Sequence, residues 1–131
     1  MKITNIDHIV LTVSNIETTT KFYSEILGMS VVKFGDNRTA LTFGNQKINL
    51  HQKGEEIDPK AENPICGSAD LCLIAETSIE TVLNELKSKN IYIIDGIVDR
   101  TGAVGVIKSV YFRDPDNNLI EISNYEQSDY I

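Results

Sequence analysis

One pattern occurs twice in this chain, about sixty residues apart, and such a repeat restricts the possible folds more than any single propensity does. Ser14-Asn15-Ile16-Glu17-Thr18 corresponds to Thr77-Ser78-Ile79-Glu80-Thr81, and Ile48-Asn49-Leu50 corresponds to Ile120-Glu121-Ile122. Around these anchors each half reads as strand, capped helix and three strands. Residues 6–13 alternate as a strand, and Ser14 to Glu17 has the spacing of a capping box. Phe22, Tyr23, Ile26 and Leu27 form a helical stripe that Gly28 stops. Strands are expected at 30–34, 39–43 and 47–51. Residues 52–64, polar and holding Pro59 and Pro64, read as a linker.

The second half repeats the order. Residues 69–75 alternate as a strand, a second capping box opens at Thr77, and Ile79, Val82, Leu83 and Leu86 make the stripe. Asn90 takes the place of Gly28, and strands follow at 91–95, 107–112 and 119–123. One four-stranded sheet with one helix leaves a whole sheet face uncovered, so two units have reason to associate. The expected fold is α+β: paired βαβββ modules, at about 4–53 and 67–125 of one 131-residue domain, in a curved, barrel-like mixed sheet with helices outside.

Composition excludes several classes. A net charge of −7 without clustered Lys and Arg argues against nucleic acid. No segment approaches the roughly 20 apolar residues that span a bilayer, and no basic-flanked apolar leader is visible. Cys66 and Cys72 fit neither a CxxC redox motif nor a zinc knuckle. Reduced thiols and a cytoplasmic location are expected.

Period-2 geometry then sorts the polar residues. If Ile9, Leu11 and Val13 face the helix, His8 faces away from it; if Ile48 and Leu50 do, Asn49 and His51 face away. In the second half the same rule leaves Asp70, Cys72 and Glu121 on the face opposite the helix. Each of these has a plain structural alternative: a hydrogen-bonded strand histidine, a turn aspartate, a solvated strand glutamate. Their joint position at corresponding slots of a repeat favours one site. Two imidazoles and two carboxylates suit a borderline divalent ion such as Zn²⁺, Ni²⁺, Mn²⁺ or Fe²⁺.

The stretches Ile6-Asp7-His8-Ile9-Val10, Phe22-Tyr23-Ser24-Glu25-Ile26-Leu27-Gly28-Met29 and Phe112-Arg113-Asp114-Pro115-Asp116-Asn117-Asn118-Leu119-Ile120-Glu121 resemble the vicinal oxygen chelate superfamily. This is the glyoxalase/bleomycin resistance/dioxygenase fold. The resemblance implies ligands on the first and last strands of each module, and so His8, His51 or Asn49, Asp70 and Glu121. His51 is preferred to Asn49, because imidazole binds these metals better than an amide oxygen. The chain departs from the family at Asp70, where a histidine is common, and at Asn117, where glycine is usual in the turn.

What the resemblance implies for function is a small-molecule metalloenzyme similar to glyoxalase I, with Glu121 moving a proton. The alternatives are a ring-cleaving dioxygenase and a metal-free binding protein of the bleomycin-resistance kind. Phe112, with Tyr23, Phe43, Tyr92 and Tyr125, is a candidate for the cleft walls, and Asn49 for substrate contact. Arg100, the one cation of the loop Arg100-Thr101-Gly102-Ala103-Val104-Gly105, is a candidate for an anionic substrate group. A homodimer is the expected assembly.

Overall fold

The computed structural model describes residues 1–126. The chain divides into two compact units, the first ending at Ala69 and the second beginning at Asp70. The first unit runs β1 (His8–Val13), α1 (Ile16–Glu25), β2 (Ser30–Phe34), β3 (Arg38–Phe43) and β4 (Gln46–Gln52). Its sheet has the order β1-β4-β3-β2, with β1 and β4 parallel and the other pairs antiparallel. The second unit runs β5 (Asp70–Ile74), α2 (Ile79–Ser88), β6 (Asp95–Thr101), β7 (Val106–Arg113) and β8 (Leu119–Tyr125). Its order, β5-β8-β7-β6 with β5 and β8 parallel, repeats the first. The α+β fold of paired βαβββ modules is therefore present, as two separate four-stranded mixed sheets.

Each helix packs on one face of its own sheet. In the first unit Leu11, Val13, Tyr23, Leu41, Ile48 and Leu50 are buried. In the second, Ile79, Val82 and Leu86 of α2 are buried, as are Val110, Phe112, Ile120 and Ile122 of the sheet. Burying one such side chain contributes about 1.5–3 kcal/mol, so these faces dominate each unit's stability.

The helix starts correct the expected capping boxes by one residue. Asn15, not Ser14, caps α1, its Oδ1 accepting from the Thr18 amide at 2.9 Å. Ser78, not Thr77, caps α2, its Oγ accepting from the Thr81 amide at 3.3 Å. The shift places Glu17 and Glu80 inside the first turn, where a carboxylate suits the helix dipole. A second clamp, not anticipated, also occurs in both units. The Gln52 side chain accepts from Ile16 N at 3.1 Å and donates to Ser14 O at 2.7 Å. Asn124 accepts from Ile79 N at 2.6 Å and donates to Ala75 O and Thr77 O, both at 3.0 Å.

The sixth strand lies later than expected. Residues 91–93 are irregular and β6 covers Asp95–Thr101. Asp95-Gly96 and Asp99-Arg100 carry turn chemistry, yet they pair with β7 across a register shift between Gly96 and Val98. A Cβ at Gly96 would stand 2.6 Å from Val110 Cγ1 and 2.9 Å from Val110 Cα, so only glycine lets the two strands approach. The β7–β8 turn is organised by Asp114. Its Oδ1 accepts from the amides of Asp116 (2.9 Å) and Asn118 (3.0 Å), and its Oδ2 accepts from Asn118 Nδ2 at 2.8 Å. Asn117 takes φ 66° there, a left-handed conformation asparagine tolerates.

Candidate functional site

Glu121 is the best-defined group of the second unit. Ser109, directly across from Ser123 on β7, donates to Glu121 Oε2 at 2.6 Å, and Ser123 lies 3.3 Å from the same oxygen. The two serine oxygens are 2.7 Å apart and both residues are fully buried. Cys72, level with Glu121 on β5, places its sulfur 3.4 Å from Ser123 Oγ. A consistent proton assignment runs Cys72 to Ser123 to Ser109 to Glu121, each group donating once. Desolvation raises the Cys72 pKa; its hydrogen bond to Ser123 lowers it and the Glu121 charge raises it further.

On the other side of Glu121 stands Tyr111, directly opposite in the β7–β8 ladder. Desolvation raises its pKa and the neighbouring Glu121 opposes its ionisation, while the bond from Arg100 pulls the other way. Arg100 Nε donates to the Tyr111 hydroxyl at 3.1 Å, and its other nitrogens reach Asp99 O at 2.9 Å and Asp95 Oδ2 at 3.4 Å. Cys72, Arg100, Tyr111 and Glu121 line a cleft of about 420 Å³ whose apolar wall includes Ile74, Ile107 and Tyr125.

Three expectations change here. Phe112 is fully buried and pairs with Ile120 on the helix side, so it is core; Tyr111, one residue earlier, takes the cleft face. The alternation of β7 places the two on opposite faces. Arg100 is not a lone cation in a flexible loop. It belongs to β6 and already holds Tyr111 and Asp95. The loop itself is short and tied down: Gly102 N donates to Gly105 O at 2.7 Å and Val104 N to the Tyr125 hydroxyl at 3.2 Å.

In the first unit His8 and His51 lie on the same sheet face but not side by side. His8 is level with Lys47 and His51 with Thr12, a separation of four residues, or about 13 Å along a strand. One ion cannot bridge two imidazoles at that spacing. Asn49 is level with Val10, two residues from His8. The second unit has the same offset, since Asp70 is level with Leu119, two residues before Glu121. The ligand-type pairs that the register matches are therefore His8 with Asn49, and Asp70 with Glu121. His51 occupies the slot that Ser123 fills in the second module.

His8 is exposed, and its Nδ1 lies 2.7 Å from Asp7 Oδ2, an arrangement that leaves Nε2 for an outside partner. Asn49 and His51 are only 4% and 5% exposed, and Asn49 Oδ1 and His51 Nε2 have no hydrogen-bond partner among the described residues. Such orphaned buried atoms cost free energy unless a ligand, ion or water meets them. Burial and the charges of Arg38 and Lys60 lower the His51 pKa, against the pull of Glu56, so the ring is neutral near pH 7. Within neither unit do three His, Cys, Asp or Glu side chains gather among the described residues. Each module offers a pair of possible donors.

Duplicated βαβββ modules, each carrying a polar pair on its first and last strands, define the class of this α+β protein. Residues 5–122 match the Glyoxalase/Bleomycin resistance protein/Dioxygenase superfamily, and the chain belongs to it. It is 58% identical to virulence protein STM3117 of Salmonella typhimurium over 95% of this chain and 87% of that protein. The crystal structure of STM3117 superposes with a TM-score of 0.95 over 96% of this chain and 100% of that one. Glyoxalase domain-containing protein RDO1 of Mycosarcoma maydis is 51% identical over 98% of this chain and 72% of its own length. The metallothiol transferase FosB of Staphylococcus epidermidis is 31% identical over 93% of this chain and 82% of its own. Among the described residues no helix is long and apolar enough to cross a membrane.

Proposed function

We propose that this chain is a metal-dependent enzyme acting on a small molecule. The candidate ligands for a divalent ion are His8 and Asn49 in the first module and Asp70 and Glu121 in the second. The observation that carries the reading is the shared register: each module sets one polar side chain on its opening strand two residues from another on its closing strand. The unpartnered Asn49 Oδ1 fits a cation or a donor, and the metallothiol transferase among the relatives supports metal chemistry in this family.

When bound, such an ion supplies Lewis-acid polarisation of neighbouring substrate oxygens. The chain's own groups set the remaining terms. Asp7 holds the His8 Nδ1 proton, so that Nε2 presents its lone pair. Ser109, itself accepting from Ser123, donates to Glu121 Oε2, which leaves Oε1 to bind or to move a proton. Tyr111, kept protonated by desolvation and by Glu121, is a hydrogen-bond donor at the cleft, and Arg100 fixes its orientation.

Elemental analysis of protein purified without chelator tests the reading. Bound metal is expected, and His8→Ala and Glu121→Ala should each lower the amount. Asn49→Ala should weaken it, whereas His51→Ala should retain it. Protein that carries no metal and takes up none overturns the proposal. The rival is a metal-free sequestering protein. It is favoured by the cations Arg38 and Lys47, which share the sheet face of Asn49 and oppose a metal there.

A further inference from the structure

Two cations of the first unit lack the partners that an acidic chain has in excess. The sequence holds 19 acidic and 12 basic residues. Yet no hydrogen bond or ion pair engages the Arg38 guanidinium or the Lys47 ammonium among the described residues. Both stand instead against one ring: Arg38 Cζ lies 4.8 Å and Lys47 Nζ 4.1 Å from the centroid of Phe34. Cation–π attraction holds each charge in place without neutralising it. Two like charges therefore share one small surface.

Strand register shows what else lies on that surface. Ala40 faces Asn49, and Phe34 faces Arg38. Lys47 is two residues from Asn49 and Arg38 two from Ala40, so Phe34, Arg38, Lys47, Asn49 and His51 all point from the same side of the sheet. One step beyond the Thr39–Leu50 rung brings Arg38 level with His51. This is the face that carries the unpartnered, nine-tenths-buried Asn49 Oδ1 and His51 Nε2.

We propose that Arg38 and Lys47, set on Phe34 beside the buried His51, form a subsite for the oxyanion end of a small ligand, a phosphoryl or carboxylate group. Arg38 offers its planar fork and Lys47 a point charge, the pairing that recognises such groups. His51, in the tautomer with the proton on Nε2, donates a third hydrogen bond, which gives the orphaned atom its partner. The assignment moves anion recognition from Arg100, whose guanidinium is already engaged by Asp95 and Tyr111, to the other module.

The inference rests on the small-molecule reading above but not on its metal, and the test separates the two. Chelator-treated full-length protein is titrated at fixed pH and ionic strength with inorganic phosphate and, separately, with acetate. The chain has two histidines, so two imidazole Cε1–H resonances are followed by NMR and assigned with His51→Gln. A saturable shift of the His51 signal, with the exposed His8 signal unmoved, is expected for at least one anion; the tighter of the two names the group. Arg38→Gln and Lys47→Gln should each weaken that binding about tenfold, as loss of one charge-assisted hydrogen bond predicts. Phe34→Leu should weaken it too while leaving the fold intact by circular dichroism. Saturation by neither anion, or unchanged affinity in both charge variants, overturns the subsite. Anion binding by protein that never takes up metal would sink the metal centre and leave the subsite standing.

Discussion

Ser109 and Glu121 are diagonal neighbours on adjacent strands of the second unit, two residues out of register, and the serine donates a 2.6 Å hydrogen bond to one oxygen, Oε2. The bond is short because the acceptor is charged, and it is fully shielded on the serine side. It turns a strand glutamate into a carboxylate with one working oxygen. Ser109→Ala should leave the fold in place at a cost of about 1–2 kcal/mol. Groups that orient a ligand typically matter by about 10–100-fold, so metal affinity should fall in that range. Chelator competition on the variant checks it, and unchanged affinity would show that Ser109 only fills space.

Cys72 reports on the same carboxylate. Its pKa is raised by desolvation first, and the Glu121 charge adds to the rise against the Ser123 hydrogen bond. Glu121→Gln removes that charge, so the thiol should ionise at lower pH and react faster with iodoacetamide near neutrality in chelator-treated protein. The measurement is the alkylation rate against pH. A curve that stays put, or moves to higher pH, contradicts the chain of contacts from Cys72 to Glu121.

The modules and their faces were legible because the repeat and the period-2 alternation act over many residues at once. Glu121 followed from them, being flanked by Ile120 and Ile122. The supports of the site were not legible. Ser109 and Ser123 have no pattern that distinguishes them from surface serines until strand pairing sets them 2.7 Å apart. Tyr111 and Phe112 are adjacent aromatics, and only the face of β7 decides which lines the cleft. Arg38 and Lys47 meet at Phe34 through register, which a strand reading alone does not supply. The preference for His51 over Asn49 followed ligand chemistry, whereas the four-residue offset between His8 and His51 is a matter of register. Strand β6 escaped because its Asp and Gly residues carry turn chemistry within a paired strand.

Asn124 ties the start of α2 to β8 through three hydrogen bonds of 2.6–3.0 Å. Asn124→Ala leaves Ile79 N and two carbonyls without that partner, and should cost about 1–2 kcal/mol. Gln52→Ala should cost less, because it removes two such bonds. Thermal melts of the two variants check the order; a reversed order would mean the clamps are not equivalent.

Gly102 and Gly96 should differ in what alanine does to them. At Gly102 an added Cβ meets two side-chain atoms, the Tyr125 hydroxyl at 2.8 Å and Ile107 Cγ2 at 2.9 Å, with the Gly105 carbonyl oxygen at 3.0 Å, but the residue does not hold a positive φ. At Gly96 it meets Val110 Cα, and the residue holds φ +144°, which side chains rarely adopt. Gly96→Ala should therefore be the more destabilising of the two, by about 1–3 kcal/mol of backbone strain and overlap. Urea denaturation of both variants measures this, and equal midpoints would contradict the argued crowding at Val110.

The last expectation concerns acid. His51 has a pKa below its ordinary 6.5, chiefly through burial and then through the Arg38 charge. The unfolded chain keeps the ordinary value and so binds the proton first as pH falls. Between about 6.5 and the lowered folded value the unfolded state holds more protons, and stability declines with falling pH, by at most about 1.4 kcal/mol per unit from this one group. The ring contributes no such slope above that window, where both states are neutral. His51→Gln should remove the slope, whatever it does to stability at pH 8. Arg38→Gln should shrink it, since removing the cation brings the folded pKa back toward 6.5. Urea unfolding from pH 8 to 5 on the three proteins measures all of this. A slope that survives in His51→Gln would assign the acid sensitivity to the carboxylates instead.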